Sequence, residues 1–265
     1  MIADVNFIRT VQVVRYVTPL REGGSLPAIA EADDGFLYVL KFRGAGQGIK
    51  SLIAELIGGE LARLIGLKIP EIVFATLDEA FGRTEPDEEI QDLLKASVGL
   101  NLGLHYLSGS ITFDPVVTKI SPLIASKIVW LDCLLTNVDR TARNTNMLMW
   151  KNELWLIDHG ACLYFHHSGL QLGETKIKPF PQVKDHVLLE QATELLQVND
   201  ELKAILTPAA VANIVSMVPG EWLETEGSNL SNDEKRKVYG DFLNRRIQSA
   251  EIFINEAQKA LNELV

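Results

Sequence analysis

One polar run decides much of what this chain can fold into. Residues 138–146, VDRTARNTN, lie between the apolar stretch Leu123–Leu135 and the apolar segment Leu154–Ile157, and Asp158 follows at once, ahead of His159 and Gly160. A chain that buries both flanks must turn the polar run into a loop, because unpaired backbone and carboxylate groups are costly inside a core. The order is therefore a loop acid (Asp139), a loop amide five residues on (Asn144), a short hairpin, and an acid at a strand end (Asp158).

Phosphoryl transfer from a metal-bound nucleotide needs that order. One carboxylate accepts or orients the proton of the attacking hydroxyl, while an amide oxygen and a second carboxylate hold Mg²⁺ on the phosphates. Magnesium takes hard oxygen ligands and keeps several waters, so two protein ligands suffice. The spacing alone does not settle the matter, since Asp and Asn are ordinary turn formers.

The two pieces together are more specific. NVDRTARNTNML, followed beyond a hairpin-length spacer by LWLIDHG, resembles the HipA-like kinases and, more distantly, the phosphoinositide kinases, whose loops read D-R-x-x-x-N and end in I-D-x-G. The resemblance is closest to the small stand-alone HipA-like kinases, extends over most of residues 20–165 and fades after that. It implies an α+β, two-lobed, protein-kinase-like fold, with a β-rich N-lobe over residues 1–109 and a mostly helical C-lobe over residues 110–265. It also implies ATP and Mg²⁺ as cofactors, Asp139 and Lys41 as catalytic residues, with Asp139 orienting the acceptor hydroxyl or accepting its proton, and Asn144 and Asp158 as metal ligands. HipA proper and the lipid kinases commonly carry His two residues after the catalytic Asp, where this chain has Thr141, and the residue after the metal-binding Asp is His159. The small HipA-like kinases tolerate both, and lipid-kinase identity loses weight.

Composition narrows the partners. A formal net charge of −10 argues against broad binding to nucleic acid or to anionic membrane, which needs clustered Lys and Arg. Cys133 and Cys162, without CxxC spacing, indicate neither a disulfide framework nor a zinc site and fit a reducing cytoplasm. The N-terminal MIADVNFIRTVQVV carries an early acid and no long apolar region, so no signal peptide is expected. Leu123–Leu135 contains Lys127 and Asp132 and is too short to span a bilayer.

In chain order, residues 7–17 and 35–43 read as strands. Val11, Val13 and Val17 share one face of the first, interrupted by Arg15, and Phe36, Tyr38, Leu40 and Phe42 share one face of the second. The segment between them reads as a loop ending in the hairpin turn Asp33-Asp34-Gly35. Within it, Gly23-Gly24-Ser25 is either a plain loop or a tight turn whose backbone N–H groups cover nucleotide phosphates. Lys41 lies inside the apolar run YVLKF, so it is either an edge-strand gatekeeper or a charge held by a partner. From Ser51, Ile53, Leu56, Ile57, Leu61 and Leu64 recur at helical spacing, and Gly66 and Pro70 close the segment. Glu55 and Glu60 both fall in that helix. The resemblance makes Lys41 the charge on the α- and β-phosphates and Glu55 its ion-pair partner, leaving Glu60 to face solvent.

Residues 70–82 read as a strand and turn, EPDEEIQDLLKAS as a short acidic helix, and VGLNLGLHYLSGS as another strand. By resemblance and order along the chain, that last strand passes the adenine and becomes a hinge at Tyr106, Leu107 and Gly109, which offers backbone groups to the base. His105 reads as a satisfied strand residue. Ser121-Pro122 opens a helix with the buried stripe Ile124, Ile128, Leu131 and Leu135. Trp130 and Trp155 read as core, Arg140 as either a phosphate-neutralising charge or a brace of the loop, and Asn146 as a donor to loop backbone. His166 and His167 read as surface. Residues 164–185 correspond by position to an activation segment, with Ser168 or Thr175 as the expected site of any self-phosphorylation and Lys176, Lys178 and Lys184 nearby. Helical periodicity marks HVLLEQATELLQ, DELKAILTPAAVANIVSMV and the final DFLNRRIQSAEIFINEAQKALNEL.

The expectation is an ATP- and Mg²⁺-dependent HipA-like kinase acting on Ser or Thr of a protein, including itself. A small antitoxin-like or operon partner is implied by the family alone. A small-molecule or lipid kinase with the same machinery, or a nucleotide-binding pseudokinase acting through a partner, are the alternatives.

Overall fold

Val11, Val13, Tyr38, Leu40 and Phe42 alternate with more exposed neighbours and turn inward, as the period of two requires. The structure, a computed structural model, describes residues 7–20, 26–82, 85–168, 177–224 and 229–264. The chain divides into two units, one of Met1–Leu56 and Pro70–Gly109, the other of Ile57–Ile69 and Ser110–Val265.

The first unit is a closed barrel. Its strands are β1 (Thr10–Pro19), β2 (Ala28–Ala32), β3 (Leu37–Lys41), β4 (Ile72–Leu77) and β5 (Gly99–His105). They run in the order β1-β2-β3-β5-β4; β4 closes onto β1 in parallel and every other pair is antiparallel. Closure leaves a narrow interior, and small side chains fill it: Ala28, Ala30, Ala32 and Ala75 join Val11, Val13, Val73 and Leu77 in the core. At Gly103 an added Cβ would stand 2.9 Å from Val73 Cγ2, so any larger residue would force Val73 to shift.

Strand β2 was expected to be loop. Alanine is a poor strand former, and here packing inside the barrel overrides propensity. Val17, expected inward, is 39% exposed, because register shifts between Val13 and Arg15 and between Tyr16 and Thr18 change which face follows. Phe36 also points out, since the turn Asp33–Gly35 runs into it. The Gly23-Gly24-Ser25 segment lies outside the described residues. Helix α2 (Glu88–Ala96) is capped by Asp87, whose side chain accepts from the N–H groups of Glu89 and Ile90.

Helix α1 (Gly48–Leu64) spans the point of division between the units. Leu52, Ile53, Leu56, Ile57 and Leu61 are all buried, so the helix is apolar on nearly every side. It ends where Gly66 takes a φ of +83° and Leu67 N–H reaches Ala62 O at 3.0 Å, a left-handed closure that glycine allows.

In the second unit, helix α3 (Pro122–Leu135) starts on the Ser121 cap with Pro122 in its first turn, and Thr136 ends it in a left-handed conformation. Strands β6 (Ile111–Thr112), β7 (Met147–Trp150) and β8 (Glu153–Leu156) make a small antiparallel sheet. Helices α4 (Leu195–Ile205), α5 (Pro208–Ser216), α6 (Gly220–Leu223), α7 (Asn232–Gln248) and α8 (Ala250–Asn262) complete it. Residues 186–194 form turns rather than the expected helix, and the long C-terminal helix is broken at Ser249. From Ala125 to Leu135 every α3 residue but Lys127 is buried. Arg246 of α7 caps its last turn, donating to Leu134 O at 2.8 Å and Cys133 O at 2.6 Å, and burial pulls its guanidinium down to about 10. No helix among the described residues is long and apolar enough to cross a membrane.

Candidate active site

The charged and amide side chains singled out in the sequence fall into two groups, one in each unit. In the first, Lys41 at the end of β3 meets Glu55 on α1, with 2.5 Å between Nζ and Oε2. The Glu55 side chain is fully buried and that of Lys41 is 12% exposed. A carboxylate at that depth requires a charged or strongly donating partner, and Lys41 provides one. Glu60, expected to face solvent, is instead buried in the second unit and pairs with Arg63 at 3.2 Å.

Beyond β5, Tyr106 donates its N–H to Leu37 O at 2.8 Å and accepts from Ser108 N–H at 3.0 Å, and Gly109 turns the chain with a φ of +78°. The Leu107 N–H and C=O make no hydrogen bond among the described residues. His105, expected to be satisfied, packs edge-on against Phe36 and Tyr38, but its buried Nδ1 has no hydrogen-bond partner among the described residues.

In the second unit the polar run forms a tight loop. Thr141 and Asn144 exchange backbone hydrogen bonds, Thr141 N–H to Asn144 O at 2.9 Å and Asn144 N–H to Thr141 O at 3.2 Å. That turn brings Asn144 Nδ2 to 2.9 Å from Asp139 Oδ2. Asn146, left-handed with a φ of +49°, donates to the same oxygen at 3.1 Å. Asn146 was expected to donate to loop backbone; it does so to Asp139 O at 3.5 Å and also reaches the Asp139 side chain. Both amides thus converge on Oδ2, and Asp139 Oδ1 accepts no hydrogen bond among the described residues. Asp158 follows β8 with a φ of +57° and is partly exposed.

A buried network underlies the loop, and most of it was not foreseen. Asp132 of α3 accepts from Asn137 Nδ2 on Oδ1 at 2.8 Å. Its Oδ2 accepts from Arg140 Nε at 2.6 Å and from His186 Nε2 at 2.9 Å. Leu188 N–H donates to His186 Nδ1, which places the His186 proton on Nε2, facing Asp132. Burial by itself would raise the Asp132 carboxyl, but the Arg140 charge and the His186 hydrogen bond outweigh it and hold the group well below the usual carboxylate range. Asn137 Oδ1 in turn accepts from the N–H of Asp139. Arg140 is 1% exposed, so it braces the loop and does not face phosphate. The available signal was Asp132 itself, a lone acid inside a buried helical stripe, which requires a partner.

Trp130 is core, donating to Asn199 Oδ1 at 3.2 Å, whereas Trp155 is only partly buried, edge-on to Trp150. His166 is fully buried between Tyr239 OH and His167 rather than on the surface. Ser168 ends a short 3-10 turn, Tyr164–Ser168, and Thr175 and Lys176 lie outside the described residues.

The donor set suits magnesium. Asn144 turns its NH₂ toward Asp139, which leaves its amide oxygen for a hard cation, and Asp158 supplies a carboxylate.

Solved structures give the class. A Helicobacter pylori proinflammatory kinase, CtkA, is 13% identical, with coverage of 97% of this chain and 99% of that one and a TM-score of 0.54. The Golgi casein kinase with Mn/ADP bound is 12% identical over 98% of this chain and 75% of that one, with a TM-score of 0.45. The likeness to CtkA makes this a kinase-type fold of mixed helix and strand. Residues 13–253 match the family model of the HipA-like kinases, and the chain belongs to that family. A search of curated proteins finds no match.

Proposed function

We propose that this HipA-like kinase transfers the γ-phosphoryl group of ATP, with Mg²⁺, to a Ser or Thr hydroxyl of a protein, its own chain included. Lys41 binds the α- and β-phosphates and Glu55 holds Lys41 in place. Backbone groups at Tyr106, Leu107 and Gly109 take the adenine. Asn144 and Asp158 hold Mg²⁺, which when bound neutralises charge on the phosphates. Asp139 Oδ1 orients the acceptor hydroxyl and takes its proton as the hydroxyl oxygen bonds to the γ-phosphorus and the bond to the ADP oxygen breaks. Asn144 and Asn146 fix the Asp139 carboxylate in place through Oδ2. In this assignment residues 1–109 serve the nucleotide and residues 110–265 the transfer.

The observation that carries this reading is the Lys41–Glu55 pair, a costly buried charge kept where β3 ends. The test is intact-mass and peptide mass spectrometry after incubation with MgATP. A gain of phosphate on Ser168 or Thr175 that disappears in Asp139→Asn is the expected result. ATP consumption that requires an added small hydroxylated metabolite, with no phosphate on protein, reassigns the acceptor. Absence of any metal-dependent ATP turnover overturns the enzyme.

A further inference from the structure

Arg140 bonds to groups that hold the chain on both sides of Asp158. Its Nη1 donates to Asn146 O at 2.5 Å, and that same carbonyl accepts the N–H of Ile157, the residue before Asp158, at 3.0 Å. Its Nη2 lies 3.3 Å from Nε2 of His159, the residue after Asp158. A guanidinium only donates, so His159 Nε2 is the acceptor and the ring proton sits on Nδ1. The third direction of the fork, Nε, goes to Asp132. The Arg140 main chain is also held, since its carbonyl accepts from Val187 N–H at 3.2 Å, beside the bridge between Thr141 and His186.

We propose that Arg140 is a positioning residue that fixes Asp158, through Asn146 O and His159, against the loop carrying Asp139, with Asp132 as its buried counter-charge and His186 as the brace of Asp132. This rests on Asp158 being a metal ligand. The planar fork serves three acceptors at once, Asp132, Asn146 and His159, and a lysine ammonium, one point charge on a flexible stem, cannot reproduce that geometry. Arg140 therefore sets where the Asp158 backbone lies without touching nucleotide.

The experiment is calorimetric titration of ADP with and without Mg²⁺ on the full chain. In wild type, Mg²⁺ tightens ADP binding. Arg140→Lys keeps the metal-free ADP affinity and loses about tenfold or more of the Mg²⁺-dependent gain, as loss of a residue supporting a metal ligand does. His159→Leu, which removes the acceptor, acts in the same direction, and His159→Gln, whose amide oxygen accepts from Nη2, recovers most of the gain. A general structural role would instead lower the melting temperature and both affinities together. Wild-type Mg²⁺ dependence in both Arg140→Lys and His159→Leu overturns the proposal while leaving the kinase assignment standing. If Arg140→Lys does not fold, the Leu and Gln variants of His159 decide by their difference. A wild-type protein whose ADP affinity ignores Mg²⁺ overturns the metal assignment and this inference with it.

Discussion

Lys41 Nζ stands 2.5 Å from Glu55 Oε2, and the Glu55 side chain has no exposed surface at all. Removing the lysine charge leaves a buried carboxylate without its cation, which costs about 3–5 kcal/mol. Lys41→Met is therefore expected to lower the urea midpoint clearly and to abolish ATP turnover. Glu55→Gln keeps the shape, removes the charge and misplaces the lysine, so turnover weakens with a smaller stability loss. Urea unfolding and a coupled ATPase assay on the same preparations check both. Unchanged turnover in Lys41→Met would make the pair a structural one only, since β3 is paired with β2 on one side and β5 on the other and has no free edge for a gatekeeper.

Asn146 gives a way to separate conformation from hydrogen bonding. Its φ of +49° costs an L-residue such as alanine about 1–2 kcal/mol, which glycine avoids. Both Asn146→Ala and Asn146→Gly lose the donor to Asp139 Oδ2. If that bond matters to the acid, both variants lower kcat by roughly tenfold, part of the ~10²–10⁴-fold a positioned base contributes, while KM for ATP holds. If only the backbone matters, the glycine variant keeps the wild-type kcat.

Parts of this arrangement are legible in sequence because they are local. Ser121-Pro122 announces α3, the helical spacing of Ile53, Leu56, Ile57 and Leu61 announces α1, and Lys41 stands out as one charge in an apolar run. Strand β2 is not legible, because Ala28, Ala30 and Ala32 earn their place only inside a narrow closed barrel. The outward turn of Val17 depends on register shifts against β2, which no single-strand pattern contains. Arg140 belongs to a polar run, and its burial follows from Asp132 eight residues earlier and His186 far along the chain. His166 is similar, since its partner Tyr239 lies on α7. Long-range pairing decides these residues, and spacing along the chain does not encode it.

Asp132 makes stability depend on acid in a definite direction. Its folded carboxyl is held below the ordinary value of 3.8, so its contribution is complete above that value and is lost as pH falls below it toward the depressed folded value. Wild type should therefore lose stability steeply below about pH 4, the unfolded aspartate range. Asp132→Asn is expected to be less stable at neutral pH by about 3 kcal/mol, because Arg140 loses its buried counter-charge, and to show a flatter acid limb. Chemical unfolding at stepped pH values checks the sign. An acid limb as steep in Asp132→Asn as in wild type would show that other carboxylates, such as the lowered Glu71 and Asp34 beside Arg9, carry the effect.

Gly58 on α1 tests how closely the segment around Asp158 is packed. An added Cβ there would stand 2.8 Å from His159 Cβ and 3.1 Å from Cγ, and a Cβ has no rotamer by which to retreat. Helix propensity favours alanine over glycine by about 1 kcal/mol, so on local grounds Gly58→Ala should stabilise the protein. Overpacking of this kind costs about 1–3 kcal/mol and displaces the neighbour, so the net effect on stability is near zero or negative. The displaced neighbour follows Asp158 directly, and Mg²⁺-dependent ADP affinity and turnover should fall. Gly240 on α7 is the control, with nothing within 4 Å of its added Cβ. Gly240→Ala should gain roughly 0.5–1 kcal/mol and leave turnover alone. Thermal unfolding and turnover of the two variants separate packing from propensity, and a Gly58→Ala protein that is both stabilised and fully active would mean that His159 can move without disturbing Asp158.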